Sequence, residues 1–211
     1  MIVVKMLGGL GNQMFQLAFA KSLSIEHNTK IATDVSVYEN YKIRSFSSDH
    51  LIISDDFEVI TRPSFIVSLT HKLYRLYQKF VKDICGVEKH GQFTLKFSTK
   101  FGFIYNFDRF YYPTTLVNSP NIYLYGYFQS SKYFNRNIEV VKKSMKVKTI
   151  PTFLEEGYIT QVSNSISLAL SMRLGDDYIK SKHLNVCGEE FYRSALDMAA
   201  KDIDNVKIFV F

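Results

Sequence analysis

Two short stretches of the sequence combine glycine with side chains that can bind or activate a ligand. The first, Gly8–Gln16, reads GGLGNQMFQ and places two neutral amides, Asn12 and Gln13, directly after glycines. Amide side chains offer both donors and an acceptor, which suits a hydroxyl-rich ligand. The second, Arg173–Asp176, reads RLGD. A guanidinium beside a glycine suits a diphosphate, because its planar fork pairs with phosphate oxygens and glycine lets the backbone come close.

The first stretch is expected at a turn between a strand and a helix. Met1–Met6 is short, apolar and rich in β-branched residues, as in a buried strand. After the glycines, apolar residues recur at roughly helical spacing. Such a turn aims the N–H groups of the first helical turn at an anionic group, and Gly9 permits close approach of the backbone.

Two other interpretations of this turn stay open. Gly9 and Gly11 fit the first two glycines of the dinucleotide-binding pattern G-x-G-x-x-G. Asp34 follows at a plausible distance in sequence for the acidic residue that binds the ribose in such proteins. The third glycine is replaced by Met14, which should prevent close packing of the helix on the sheet. Met14 thus argues against a nicotinamide-dependent oxidoreductase, but this class remains an alternative. Asn12 can also serve only as the cap of the helix.

Further polar candidates lie at the ends of two predicted strands. Lys30–Asp34 predicts a strand that ends at Asp34, and ligands collect at carboxyl strand ends in open α/β sheets. The alternative is that Asp34 only turns the next segment. Asn121–Tyr125 predicts another strand, followed by Gly126–Phe134, which reads GYFQSSKYF. Here Gln129 is the candidate polar contact, and the aromatic residues are expected mostly in the core.

Several elements are predicted from hydrophobic periodicity alone. Ser64–Lys82 predicts an amphipathic helix with its apolar stripe buried and its basic face in water; contact with an acidic bilayer is the alternative. A serine-capped turn should begin a helix that runs to about Lys146. Ser165–Met172 predicts a buried strand. Cys187 is expected to be a packing residue rather than a nucleophile.

A last helix and a turn are predicted near the end of the sequence. The helix should run to about Lys201, with Phe191 and Ala195 among its inward residues. Asp202 and Asp204 form an Asp-x-Asp pattern that can bind a metal in other proteins, but their position between a helix and a strand predicts a turn. No histidine pair has the spacing of metal ligands.

Composition narrows the class of protein and of ligand. At 211 residues and a net charge of +6, the chain suits an anionic ligand such as a nucleotide sugar, or weak attraction to an acidic membrane surface. The basic residues are scattered and form no nucleic-acid motif, so nucleic acid is not an expected partner. The 2 cysteines indicate a reducing compartment. With neither a signal peptide nor a membrane-spanning run, a cytoplasmic protein is expected.

The motifs GGLGNQMFQ and GYFQSSKYF closely resemble two signatures of the bacterial α-1,2-fucosyltransferases. The family's His-x-Arg-Arg-Gly-Asp motif is matched by Arg173, Gly175 and Asp176, whereas Ser171 and Leu174 replace its histidine and second arginine. The resemblance implies transfer of L-fucose from GDP-fucose to the 2-hydroxyl of a terminal galactose. The reaction inverts the anomeric centre and needs neither a metal nor a cofactor beyond the sugar donor.

The resemblance also implies roles for individual residues. Arg173 would stabilise the departing GDP, and Asp176 would orient it or assist deprotonation, so both are candidate catalytic residues. The candidates for donor binding are Arg173, Gly175, Gly9, Asn12 and Gln13. The acceptor-side candidates are Asp34 and Gln129. Loss of the second arginine puts the strength of leaving-group stabilisation in doubt.

The alternation of strands and helices predicts an α/β fold with parallel sheets. The resemblance implies two Rossmann-like domains facing across a cleft (GT-B type): an acceptor-side domain at 1–150 and the start of the GDP-fucose-binding domain at 151–211. Because related enzymes continue further, we expect the second domain to be incomplete. The implied partner is a galactose-terminated glycan, in some cases lipid-linked, at the inner face of a bacterial membrane. A non-catalytic nucleotide- or glycan-binding remnant is the remaining alternative.

Overall fold

The computed structural model describes residues 1–40, 46–47, 51–52, 57–62, 65–85, 98–107, 121–147, 152–172 and 187–211. The chain divides into two compact units, Met1–Thr149 and Ile150–Phe211. Each unit is described by itself.

The first unit alternates strands and helices. Its described strands are β1 (Ile2–Lys5), β2 (Ile31–Asp34), β3 (Leu51–Ile52), β4 (Phe57–Ile60), β5 (Phe103–Asn106), β6 (Ile122–Gly126) and β7 (Lys146–Val147). Its described α-helices are α1 (Leu10–Glu26), α2 (Phe65–Cys85) and α3 (Ile138–Ser144). Short 3-10 turns lie at Ser36–Glu39, Ser131–Tyr133 and Asn135–Asn137.

Five of these strands form a parallel sheet in the order β4-β2-β1-β6-β5. The order reverses at β1, which has β2 on one side and β6 on the other. In open parallel sheets, ligands bind beyond the carboxyl strand ends at such a reversal. Lys5 of β1 lies level with Tyr125 of β6, so the segments that follow these strands emerge side by side. The predicted α/β class with a parallel sheet is confirmed.

The two faces of this sheet differ in chemistry, because successive strand residues point to opposite sides. The face toward α1 is a mixed aliphatic and aromatic core, in which Ile2 of β1 is fully buried together with Leu17 and Phe19 of α1. The face toward α2 is aromatic. There Tyr105 of β5 packs against Tyr125 of β6, with ring centroids 5.5 Å apart.

Helix α2 is amphipathic as predicted, but the prediction of a buried apolar stripe was wrong. Leu73 and Phe80 in that stripe are 56% and 63% exposed. Among the residues of α2 whose burial is described, Val67 and His71 are buried, and His71 stacks on Tyr125 with ring centroids 4.8 Å apart. Periodicity shows that a helix has two faces, but the partner that a neighbouring sheet offers decides which face is buried.

The helix expected to run to about Lys146 is interrupted. Two 3-10 turns precede α3, and Lys146 itself lies in β7, which pairs antiparallel with β3. The predicted serine cap is present, since the Ser130 hydroxyl accepts a hydrogen bond from the Lys132 N–H at 3.4 Å. The turns place Tyr133 in the core, where its hydroxyl accepts from Asn106 Nδ2 at 2.8 Å. This buried contact explains why the chain does not enter a regular helix at once.

The second unit contains α4 (Phe153–Ser163), β8 (Ser167–Leu170), α5 (Glu189–Asp202) and β9 (Lys207–Val210). β8 and β9 pair in parallel. Helix α4 begins with a capping box, in which the Thr152 hydroxyl accepts from the Glu155 N–H and the Glu155 carboxylate accepts from the Thr152 N–H. Hydrogen bonds that Thr152 donates to the Glu155 carboxylate, first from its backbone N–H, hold the pKa of Glu155 below its usual value.

Three predictions in the second unit were wrong in their burial. Strand β8 alternates between exposed and half-buried residues rather than being buried, and Phe191 and Ala195 of α5 are exposed. Cys187 carries an exposed thiol rather than a packed one. In the described part of this unit the sheet has only two strands. A sheet of this size is too small to bury the apolar residues of α4 and α5. Asp202 ends α5, and Asp204 lies in the predicted turn between α5 and β9.

Among the described residues, none of the helices combines the length and the hydropathy that crossing a membrane requires. Within the same residues, no cluster of three or more His, Cys, Asp and Glu side chains is arranged as a metal site.

Candidate functional site

The turn between β1 and α1 is built on two glycines. Gly8 has a φ of 73°, a backbone conformation that favours glycine, and a Cβ at this position would displace the Asn12 side chain. Gly9 is the N-cap of α1, and its carbonyl accepts the first helical bond from the Gln13 N–H at 3.1 Å. The N–H groups of the first turn of α1 are therefore presented where β1 ends, as predicted from the sequence.

Asn12 joins the two sequence signatures. Its Oδ1 accepts a hydrogen bond from Gln129 Nε2 at 2.6 Å, across a separation of 117 residues in sequence. The alternative that Asn12 only caps α1 was wrong, because Gly9 occupies the cap and makes no side-chain cap bond. The parallel pairing of β1 with β6 brings these residues together, since each follows the carboxyl end of its strand. The two amides form one polar edge at this end of the sheet.

Gln13 lies in the same turn but faces inward. It is fully buried; its Nε2 donates to the Gly8 carbonyl at 2.9 Å and its Oε1 accepts from the Ser47 N–H at 3.0 Å. The Tyr38 hydroxyl donates to the same Gly8 carbonyl at 2.7 Å. Gln13 therefore fixes the shape of the glycine turn, and its amide does not reach the surface where a sugar would bind.

Gln16 is a structural residue of this site that sequence reasoning missed. Its Oε1 accepts from the Leu7 N–H at 3.0 Å, and its Nε2 donates to the Leu7 and Gly126 carbonyls at 3.3 and 3.0 Å. The side chain is fully buried and ties the segment after β1 to the end of β6. The available signal was a glutamine on the inward face of an otherwise apolar helix, which needs buried partners.

The second signature turn is held by close packing. A Cβ at Gly126 would overlap the Asn106 carbonyl oxygen of β5, so this position accepts only glycine. Phe128 adopts a left-handed φ of 53°, which is uncommon for a bulky residue. Its ring is buried against Phe19, with centroids 4.9 Å apart, and against Tyr133. This packing stabilises the unusual turn and confirms that the buried aromatics here belong to the core.

Asp34 ends β2, as predicted, and is fully buried. Its Oδ1 accepts from the Ser36 N–H at 3.0 Å, which is the turn-forming role given above as the alternative. Its Oδ2 lies 3.8 Å from Lys5 Nζ. Asp34 thus also positions a lysine at the carboxyl end of β1, and its contact with an acceptor stays a prediction.

The expectation that Met14 prevents close packing of α1 on the sheet was wrong. Its side chain is 36% exposed and does not obstruct this packing. Arg173, Gly175 and Asp176 lie outside the described residues, so the roles predicted for them stay predictions.

His71 is a buried histidine on the opposite face of the sheet, close to the same strand ends. Its ring stacks on Tyr125 and lies 5.1 Å from the Tyr105 ring. Burial and the nearby Lys5 charge lower the pKa of His71 from 6.5 to about 4, although the Asp34 carboxylate acts in the opposite direction. The imidazole is therefore neutral at pH 7. Burial also raises the pKa of Tyr105 and of Tyr125.

Acid should weaken the first unit through His71. The unfolded chain protonates this imidazole near pH 6.5 and the folded chain only near pH 4, so its stabilising contribution is complete above pH 6.5 and declines as pH falls toward 4. At about 1.4 kcal/mol per pKa unit, the stability difference between wild type and His71→Phe should shrink by roughly 2–3 kcal/mol. Urea unfolding followed by tyrosine fluorescence at pH 7 and pH 4.5 measures this difference. Val67→Ala on the same helix is the control, and a His71→Phe difference that stays constant with pH would contradict the assignment.

The described residues form an α/β protein with a parallel sheet, and the candidate site lies at the carboxyl edge of that sheet. The sequence profile of glycosyl transferase family 11 matches residues 1–211. The chain therefore belongs to glycosyl transferase family 11, and the resemblance drawn from its two signatures is confirmed.

The sequence is also similar to a protein with a known enzyme name. An Escherichia coli protein named alpha-1,2-colitosyltransferase is 25% identical over 223 residues, a match that covers 100% of this chain and 68% of that protein. No solved structure shows a significant similarity to this chain. A nucleotide sugar and a glycan acceptor are the substrates that membership of a glycosyltransferase family implies.

Proposed function

We propose that this chain transfers L-fucose from GDP-fucose to the 2-hydroxyl of a terminal galactose on a glycan. The observation that carries the proposal is the hydrogen bond from Gln129 to Asn12, which unites the two fucosyltransferase-like signatures at one strand edge. Family membership supports glycosyl transfer, and the name of the Escherichia coli relative supports an alpha-1,2 linkage. Because that relative is a colitosyltransferase, a colitosyl donor is the second candidate.

The proposed chemistry divides between the two signatures and the RLGD stretch. Arg173 pairs with the donor diphosphate and stabilises the charge that GDP gains as it leaves, while Gly175 lets the backbone approach the phosphates. Asp176 orients Arg173 or assists removal of the acceptor proton. No metal or further cofactor is part of this proposal.

The carboxyl strand edge of the first unit is proposed to hold the sugars. Asn12, a candidate for donor binding, and Gln129, a candidate on the acceptor side, offer amide groups to sugar hydroxyls, and Gly9 permits close approach of the backbone to the donor. Gln13 supports this edge from within, since its own amide is used by Gly8 and Ser47. The buried Asp34 contributes through Lys5 rather than by direct exposure to a ligand.

Peripheral contact with an anionic membrane, where a lipid-linked acceptor would reside, belongs to the same proposal. Its support is α2, where exposed Leu73, Leu76 and Phe80 lie beside Lys72 and Lys79. A helix with an apolar stripe and flanking lysines can rest in the headgroup region of an acidic leaflet.

Arg173→Ala should weaken GDP binding by at least tenfold, because charge-assisted bonds to phosphate contribute roughly 1.5–3 kcal/mol. Calorimetric titration with GDP, without added metal, measures the effect. Arg193→Ala is the matched control, since Arg193 is an exposed arginine paired with Glu189 in the same unit. Equal weakening by both variants, or tighter binding of NAD than of GDP, would contradict the donor assignment.

Transfer is then assayed with GDP-fucose and GDP-colitose as donors, and with free and lipid-linked galactosides as acceptors. Preference for the fucosyl donor supports the proposal, whereas preference for the colitosyl donor favours the second candidate. GDP binding without turnover of either donor would support the non-catalytic alternative.

A further inference from the structure

A cavity of about 660 Å³ opens between α2 and the carboxyl ends of β1 and β6. On the sheet side it is lined by Lys5, Leu7 and Tyr125. The volume lies within the range of small-ligand sites, and the position is the one where the strand order of the sheet reverses. We call this cavity the α2 cleft. It lies wholly within the first unit.

The α2 cleft is rich in positive charge. Lys72, Arg75 and Lys79 line it from α2, and their spacing of three and four residues places them on one side of the helix. None of these three cations makes a salt bridge within the described part of the chain. The described residues of the lining include no carboxylate, and Asp34 is fully buried with its Oδ2 3.8 Å from Lys5 Nζ. Clustered cations without counter-charges repel one another, and an anionic ligand relieves this repulsion.

Buried polar atoms in the cleft wall also lack partners. His71 lines the cleft and is 6% exposed, yet neither of its ring nitrogens has a hydrogen-bond partner among the described residues. Buried imidazole nitrogens are normally paired, and a neutral imidazole can donate from one nitrogen to a ligand oxygen. Ser68 adds a hydroxyl to the same lining. The cleft therefore offers a planar guanidinium, ammonium groups and neutral donors together.

We propose that the α2 cleft binds a phosphate or diphosphate group carried by the glycan acceptor. Arg75 supplies the fork that pairs with two phosphate oxygens, while Lys5, Lys72 and Lys79 balance the remaining charge. His71 forms part of the cleft wall, and the Ser68 hydroxyl can donate a hydrogen bond to a phosphate oxygen. The assignment to the acceptor rests on the proposed function, in which the donor diphosphate is held at Arg173 in the other unit.

The test uses inorganic pyrophosphate as the probe, titrated into the full chain at low ionic strength. Arg75→Ala/Lys79→Ala should weaken pyrophosphate binding at least tenfold, whereas Lys142→Ala/Lys143→Ala, with the same loss of charge on α3, should leave it within twofold. Both pairs lie on helix surfaces, so the two variants are expected to fold alike. In wild type, pyrophosphate should also shift the imidazole NMR resonances of His71, and this shift should vanish in the cleft variant.

Two competitors identify the source of the phosphate. Displacement of pyrophosphate by geranyl diphosphate supports a lipid-borne acceptor diphosphate. Displacement by GDP that persists in Arg173→Ala overturns the acceptor assignment, because the nucleotide would then occupy the cleft. Equal weakening by the two double variants, or an unmoved His71 resonance, overturns the site itself.

The outcomes separate this proposal from the proposed function. If Arg173→Ala weakens GDP binding while Arg75→Ala/Lys79→Ala leaves pyrophosphate binding unchanged, the cleft proposal fails and the proposal of fucosyl transfer stands. If the cleft binds pyrophosphate but GDP binds nowhere, the proposed function fails and the phosphate site stands.

Discussion

Gly126→Ala should lower the free energy of unfolding of the first unit by more than about 3 kcal/mol, a loss at the severe end for a single substitution. The added Cβ would overlap the Asn106 carbonyl oxygen, a backbone atom of the neighbouring strand β5 that cannot rotate away. The same Cβ would also lie 3.2 Å from the Phe128 ring. Relief requires β5 and β6 to separate at their carboxyl ends, where both signature turns are anchored.

Gly11→Ala is the matched control for this substitution. A Cβ at Gly11 meets nothing within 4 Å, and the residue lies in the first turn of α1. Alanine is a better helix former than glycine, so stability should stay unchanged or rise by up to about 1 kcal/mol. Urea unfolding of both variants gives the comparison. Similar stabilities for Gly126→Ala and wild type would contradict this prediction, because β5 and β6 would then separate at their carboxyl ends at little cost in free energy.

Gln16→Leu should be the second most damaging change, with a loss of roughly 3 kcal/mol or more. The substitution nearly keeps the side-chain volume but leaves the Leu7 N–H, the Leu7 carbonyl and the Gly126 carbonyl without this partner. Each buried polar group left unpaired costs about 1–3 kcal/mol. Since Gln16 links the segment after β1 to the end of β6, the contact between Asn12 and Gln129 should also be lost.

Two further glutamine variants sharpen this prediction. Gln16→Glu keeps an acceptor for the Leu7 N–H but cannot donate to the two carbonyls while ionised, so its stability should improve on acidification as the carboxyl gains a proton. Gln161→Leu, at an exposed glutamine that accepts from Lys207, should change stability by less than about 0.5 kcal/mol. A Gln16→Leu protein within 1 kcal/mol of wild type, by urea unfolding, would argue against the role given to Gln16.

Sequence alone determined several of the local elements of the first unit. The β-branched run before Gly8, the glycines at the turn and the helical periodicity after Gln13 are short-range signals, and β1 and α1 form where they predict. The same holds for β2 up to Asp34 and for β6. The family was also readable from sequence, because its signatures are contiguous motifs whose residues sit in two turns.

Burial and side-chain partnership were less predictable. The apolar stripe of α2 is exposed, while His71 packs on the aromatic face of the sheet, because that face offers ring partners such as Tyr105 and Tyr125. Periodicity records that two faces differ but carries no information about which layer covers either one. Cys187 shows the same limit, since the sequence offered no neighbour that would activate its thiol and a packed residue was predicted, whereas the fold leaves the thiol exposed.

The site itself required the tertiary structure. Asn12 and Gln129 were both singled out from sequence, but their contact depends on β1 and β6 being neighbours, which a separation of 117 residues does not reveal. Gln13 and Gln16 lie about one helical turn apart on α1, and the side chains of both form hydrogen bonds with backbone groups inside the fold. Residue types thus determined which groups could meet a sugar or a phosphate. The order of the strands decided which of them lie together at the edge and which serve as internal supports, because parallel pairing sets the neighbours of each strand end.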